Sequence, residues 1–236
     1  MWAIAVYKST SLFSLKPASA TVSGGRTLLV PTPYAVKMAL LDVACPLIGA
    51  DAAERTWDDW LGGARIALRP SEYVVVNNTF IRILRPPKSP KPLEPFQRTI
   101  AYREYAYLGG EFKIGVEVKT EEQASLVGRW LAHINYLGKR GGFVQIQDLP
   151  HTLSELPREW LIVGEPPADG IDLDAVLTQL DDTGKGATFQ KVSVYSDKSI
   201  KLGKERVLHH VMLPYRRTRT SRSYTFYTRI PTEEES

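Results

Sequence analysis

Between Trp2 and Leu149, strand-like runs and helically spaced apolar runs follow one another in a fixed order: strand, helix, strand, strand, helix, strand. That order constrains the fold more than any single motif, because each run can bury its apolar side only as the element its spacing allows. WAIAVY is the first strand, apolar with an aromatic at each end. The polar stretch KPASATVSGGRT then leads into LVPTPYAVKMALLDV, where Thr32 is placed as an N-cap and Pro33 in the first helical turn, in which a missing N–H costs nothing. Val36, Ala39, Leu40, Val43 and Ala44 recur at helical spacing, and WDDWLGG closes this helical region.

Two strand-like pieces follow in ARIALRPSEYVVVNNTFIRILR, broken by Pro70 and by Asn77-Asn78. PPKSPKPLEP is stiff and extended and cannot pair inside a sheet. FQRTIAYREYAYLGGEFKIGVEVK predicts a strand pair turning near Gly109-Gly110. Glu121 to Leu137 predicts a helix with Ala124, Val127, Leu131 and Ile134 on one face and Gly138 as its stop, before a last strand in FVQIQDL. The expected class is α+β: a ferredoxin-like (RRM-like) βαββαβ domain over residues 1–147 with a Pro- and Arg-rich insertion before or within its third strand. An acidic connecting region over 148–184, with DLDAVLTQL as a helix, leads to a basic, β-rich C-terminal extension over 185–236. Many functions use this fold, although its sheet is often an RNA platform. The usual Lys/Arg-Gly-aromatic run of the third strand is not legible here.

Charge is segregated rather than large. The chain of 236 residues carries a net charge of +4. Asp148 to Asp182 holds nine carboxylates against Arg158 alone, whereas Lys201 to Arg229 holds eight cations against Glu205. Such segregation points to a polyanion on one face and a protein neighbour on another, the plainer reading being solvated surface. The single cysteine, Cys45, lies in an apolar run and reads as a buried small hydrophobe. The N-terminus lacks the basic leader of a signal peptide and no apolar run reaches membrane-spanning length, so a cytoplasmic protein without membrane contact is expected. His209-His210 are adjacent, His133 and His151 isolated, and neither a Walker loop nor a Rossmann fingerprint is present; no metal and no cofactor are expected.

Three stretches carry nucleic-acid chemistry. YRRTRTSRSYTFYTR mixes cations and aromatics: in an extended strand Arg216 and Arg222 face one way, Arg217 and Arg219 the other, which suits an edge hairpin along phosphates with VLHHVMLPY pairing behind it. A cationic strand that merely protects an edge is the alternative. Lys139-Arg140-Gly141-Gly142 sets two cations beside backbone that a sugar-phosphate chain can approach closely, or is simply a helix stop. SGGR, ending at Arg26, reads as a loop with one cation, and its position before the first helix makes it a second candidate for binding RNA.

The first strand, VPTPYAVKMALLD, the hairpin-bearing third strand and LGKRGGFVQI together resemble the RAMP superfamily of CRISPR-associated proteins. Within it the chain is most similar to the fifth numbered Cas family, the type I Cascade subunit that binds the five-prime handle of the guide RNA (crRNA). The resemblance covers roughly residues 1 to 147. It implies a non-catalytic crRNA-binding subunit of an RNA-guided complex, with the backbone RAMP subunit and the large subunit as partners and target DNA met indirectly. It also implies a projecting hairpin, the thumb, at about 82–110, which kinks the RNA where handle meets spacer. Arg82, Arg85, Lys88, Lys91, Arg98 and Arg103 there suit phosphates, and Tyr102, Tyr105 and Tyr107 suit stacking on unpaired bases. Tyrosines half-buried against the body are the structural alternative. With Arg26, Lys139, Arg140, Gly141, Gly142, Arg216, Arg217, Arg219 and Arg222 these residues, Tyr107 apart, form the expected RNA-binding set, with no catalytic residue. One subtype of the resembling family cleaves precursor RNA without metal, and His133, Tyr136 and Lys139 are the residues that could do so here.

Overall fold

Thr32 caps the helix that the proline pair announces. In the computed structural model, which describes residues 1–20, 25–87, 89, 96–166 and 174–231, its hydroxyl accepts the Ala35 N–H and helix α1 runs Pro33–Ile48. Such a cap contributes about 1 kcal/mol. Helix α2 (Ala50–Asp59) follows after Gly49, whose φ of 83° few side chains adopt.

A first antiparallel sheet is built around β1 (Trp2–Ser9). Its order is β6 (Val144–Ile146), β1, β5 (Glu111–Glu117), β2 (Ile66–Arg69), β8 (Leu161–Ile162), with β7 (His151–Leu153) also pairing β1. Alternation sends Ala3, Ala5 and Tyr7 into the main core beneath α1 and α3 (Glu121–His133), where the Tyr7 hydroxyl donates to the Leu131 carbonyl at 2.6 Å. Trp2 and Ile4 point the other way and are also buried, under Leu153, Leu156, Trp160 and Ile162. The sheet face expected as an RNA platform is therefore covered by the protein's own segment 153–162.

The second sheet has the order β11 (Tyr215–Thr220), β12 (Tyr224–Arg229), β3 (Tyr73–Arg85), β4 (Gln97–Gly109). Two expectations fail here. Asn77-Asn78 do not break β3, because its ladder with β4 continues through both and the Asn78 N–H donates to Ser223. Gly109-Gly110 is no hairpin turn: β4 stays with β3 while β5 joins β1 and β2, so the glycines carry the chain between sheets, Gly110 at φ 82°.

Three further elements differ from expectation. Helix α3 stops at His133, after which Ile134–Leu137 runs extended and Tyr136 bridges Phe143. Within DLDAVLTQL the described residues enter β9 (Val176–Thr183), a strand held by an eight-pair ladder to β10 (Arg206–Leu213). In VLHHVMLPY the residues from Val207 to Leu213 accordingly pair with β9, not with the basic hairpin, and Tyr215 begins β11. Among the described residues of the acidic stretch, Glu159, Glu165, Asp174, Asp181 and Asp182 pair within the protein, with Arg69, Arg65, Arg216, Arg206 and Lys37.

Glu205, at the entry to β10, accepts from Lys191 on α4 (Phe189–Val192) at 2.7 Å and from the Lys201 N–H at 3.0 Å. The Lys191 ammonium and this N–H hold the carboxyl at about 2. A depressed folded-state value means that the contribution to stability is complete above the unfolded carboxyl pKa, about 4.3, and is lost as pH falls toward 2. Thermal melts from pH 6 to pH 2 should show this loss, and Glu205→Gln should flatten that part of the profile.

Candidate nucleic-acid interface

The ladder between β3 and β4 spans thirteen pairs, from Tyr73↔Gly109 to Arg85↔Gln97, but β12 pairs only Tyr73–Asn77. Beyond Asn78 the two strands extend past their neighbour as a projecting hairpin. Its length follows from β-branched and aromatic residues on both strands. One face carries Phe80, Arg82, Leu84, Arg98, Ile100 and Tyr102; the other carries Arg85, Arg103, Tyr105 and Tyr107. Phe80 is 73% exposed, Ile100 69% and Tyr102 43%, and the Phe80 and Tyr102 rings meet edge to face at 4.8 Å. Phe80, Leu84 and Ile100 are apolar groups in water that cation counting missed; alternation in TFIRIL was the signal for the first two. Lys88 and Lys91, and Ser23 and Gly24 of SGGR, lie outside the described residues.

The N-terminal loop ties the hairpin to the other cationic segments. Phe13 pairs with Ala106 through both backbone bonds, the Glu104 N–H donates to the Gly25 carbonyl, and the Glu104 carboxylate accepts the Thr27 N–H at 2.9 Å. Gly25 lies against the β4 backbone so closely that a Cβ would stand 2.1 Å from the Tyr102 carbonyl oxygen, which only glycine permits. Exposed Arg26 is thus set beside the hairpin base, and both Arg26 and Arg217 lie near enough to Tyr227 to oppose the rise in its pKa that burial causes. On the far side, Ser11 donates to the Gly141 carbonyl at 2.6 Å and accepts the Phe143 N–H.

That turn differs in part from the expected phosphate cradle. Lys139, Arg140 and Gly141 are exposed, Gly141 at φ 110°. Gly142 is buried, its N–H donates to the Lys139 carbonyl, and a Cβ there would press on Leu137 and Phe13. Its role is close packing. Arg140 also reaches the Tyr136 hydroxyl, which donates to Asp42 on α1 at 2.9 Å; burial and Asp42 raise the Tyr136 pKa. His133 bonds its own Arg129 carbonyl at 2.7 Å. Among the described residues no hydrogen bond joins His133, Tyr136 and Lys139, and no group of three or more His, Cys, Asp or Glu could hold a metal ion.

At the C-terminus, Arg216 and Arg219 lie on the outer face of β11 and Arg217 on the inner, because a bulge between Arg217 and Arg219 shifts the register. Arg222 sits in the turn between β11 and β12, not on a strand face. Arg216 is engaged with Asp174 at 2.8 Å. Among the described residues no ion pair engages Arg26, Arg82, Arg85, Arg98, Arg103, Arg217, Arg219 or Arg222.

No protein-family model matches the chain. It is similar to the CRISPR-associated protein Cas5 of Archaeoglobus fulgidus, 22% identical over 192 residues that span 80% of this chain and 82% of that protein. It is also similar to a solved CRISPR RNA-guided surveillance complex chain, with 16% identity, TM-score 0.46 and coverage of 90% of this chain and 91% of that one. A crystal structure of a CRISPR protein from Archaeoglobus fulgidus gives 11% identity, TM-score 0.38 and coverage of 97% and 91%. A mixed helix-and-sheet chain with a projecting basic hairpin, it is similar along four-fifths of its length to a protein of the CRISPR-associated class. Within that class its similarity is to the Cas5 type.

Proposed function

We propose that this chain is a non-catalytic crRNA-binding subunit of a type I CRISPR effector (Cascade) complex, capping the five-prime handle and contacting the backbone and large subunits in RNA-guided DNA targeting. The observation that carries this reading is the projecting β3–β4 hairpin, whose described arginines form no ion pair among the described residues, on a chain similar to a Cas5 protein. The strand order β6-β1-β5-β2 beneath α1 and α3 supports a ferredoxin-like body, with the hairpin inserted between β2 and β5 as a thumb. Arg82, Arg85 and Arg98 on the thumb would meet phosphates. Phe80 and Tyr102 form a hydrophobic edge able to wedge an unpaired base and kink the strand. Arg26, Lys139 and Arg140 would hold the handle against the body, along the loop that Ser11, Phe13 and Gly25 fasten.

Sequencing the RNA that co-purifies with the chain tests the proposal: fragments should begin with one repeat-derived five-prime end. Random cellular RNA, or none, would overturn it. Labelled repeat RNA should remain intact with and without chelator. Chelator-insensitive cleavage that His133→Ala abolishes would replace the non-catalytic reading with a metal-free ribonuclease.

A further inference from the structure

The outer face of the second sheet collects aromatic rings that the handle-binding reading does not use as a unit. Across β12, β3 and β4 the register sets Phe226, Val75 and Tyr107 in one row and Tyr224, Asn77 and Tyr105 in the next, with Tyr73 beside them. The opposite face of the same strands holds Val74, Val76, Ala106 and Leu108, all buried, so these rings point away from the core. All five are half-buried. Tyr73 is pinned: its ring occupies the space where a Cβ on Gly109 would lie, 2.1 Å from Cζ, and stacks on Phe226 at 5.2 Å and 11°. Tyr107 lies 6.2 Å from Tyr73. The platform is thus set by the backbone and by ring-on-ring contact rather than by loops.

Its rim is cationic. Arg103 follows Tyr105 and Tyr107 on the same face of β4, and Arg219 stands opposite Phe226 on the edge strand β11, neither with an ion-pair partner among the described residues. Along each strand successive rings are about 7 Å apart, two residues of extended chain. That spacing suits bases splayed one by one onto rings while the backbone meets guanidinium groups at the rim.

We infer that this outer sheet face is a base-stacking platform for single-stranded RNA, with Tyr105, Tyr107, Tyr224 and Phe226 as stacking rings and Arg103 and Arg219 as phosphate contacts. The inference rests on the RNA-binding reading and adds to it a second surface, on the sheet rather than at the hairpin tip. Stacking is sequence-tolerant, so it would hold RNA beyond any structured handle.

Anisotropy of a labelled oligouridine 12-mer against an abasic 12-mer of equal backbone charge, each titrated with salt, tests it. Wild-type chain should prefer the base-bearing oligomer by about tenfold or more. Tyr107→Leu with Phe226→Leu should cut that preference severalfold and leave the salt slope unchanged. Arg103→Gln with Arg219→Gln should instead weaken both oligomers and lower the slope by about 0.7 per arginine. The abasic comparison needs no variant, so a misfolded substitution cannot hide the answer. Equal, salt-dependent binding of both oligomers by wild type overturns the platform while leaving RNA binding intact, as does a preference undiminished by both leucine substitutions. If the leucine variant binds both RNAs as wild type does but loses a protein subunit, the face belongs to that subunit and the inference is overturned. Failure of wild type to bind either oligomer overturns the platform; if no repeat-derived RNA co-purifies, the proposed function falls as well.

Discussion

Asp182→Ala destabilises the chain by about 3–5 kcal/mol in urea unfolding, the scale set by leaving a buried charge without its partner. Lys37 is 1% exposed in the second turn of α1. Its ammonium donates to Asp182 at 2.7 Å, to the Thr183 hydroxyl at 2.8 Å and to the Gly62 carbonyl at 3.1 Å. Burial lowers the Lys37 pKa and the Asp182 carboxylate opposes that shift. Removing the carboxylate leaves burial unopposed. A lysine whose folded-state value lies below its unfolded value binds fewer protons when folded, so stability rises with pH between the lowered value and about 10.4. The variant should show a steeper rise in that window than wild type. The double change Lys37→Met with Asp182→Leu should recover much of the loss, because two apolar groups leave no charge stranded. Equal losses in single and double variants would show that shape, not charge pairing, governs the site.

The same ion pair shows how much of the fold the residues reveal by themselves. Periodicity locates α1 with its cap, since Thr32 and Pro33 act through local backbone geometry. It cannot assign Lys37, which falls on the buried face and looks like a solvated cation until β9 is folded against the helix. DLDAVLTQL misleads for a related reason: Val176, Leu177 and Leu180 fit a helical face, yet Leu177 is 69% exposed and Leu180 fully buried. A long-range ladder with β10 overrides local spacing. Segregated charge is visible in composition, but not that Asp181 pairs with Arg206, or Asp174 with Arg216, inside one molecule. At the candidate site, strand alternation puts Tyr105 and Arg103 on one face and Tyr102 on the other, as the ladder has them. The ring platform is hidden because Tyr73, Tyr107 and Phe226 come from three strands that meet only in the folded sheet.

Replacing residues Phe80 to Tyr102 by Asn-Gly should leave the fold standing and weaken handle RNA at least about 100-fold at physiological salt, the scale of releasing several phosphates at once. The base of the hairpin is held independently of its arms. Asn78 donates to Ser223, Glu104 to Gly25, and Ala106 exchanges both backbone bonds with Phe13. Thr79 and Arg103 are already opposite one another, so a two-residue turn closes the ladder in register. Among the described residues the deleted side chains lie mostly in water: Phe80, Leu84, Phe96 and Ile100 are each more than half exposed, and their removal takes away little core. The melting temperature should therefore move by only a few degrees, the size expected of changes away from the core. Affinity behaves differently, because Arg82, Arg85 and Arg98 leave together with Phe80 and Tyr102. If the hairpin grips RNA through phosphates, the slope of log affinity against log salt should fall by about 0.7 for each phosphate of a single strand that is no longer neutralised. Retention of Arg103, Arg219 and the rings of the sheet should preserve residual, base-dependent binding. A truncated chain that melts like wild type and binds handle RNA with unchanged affinity and slope would remove the hairpin from the interface, leaving the sheet face and the Lys139-Arg140 turn as its remaining surfaces.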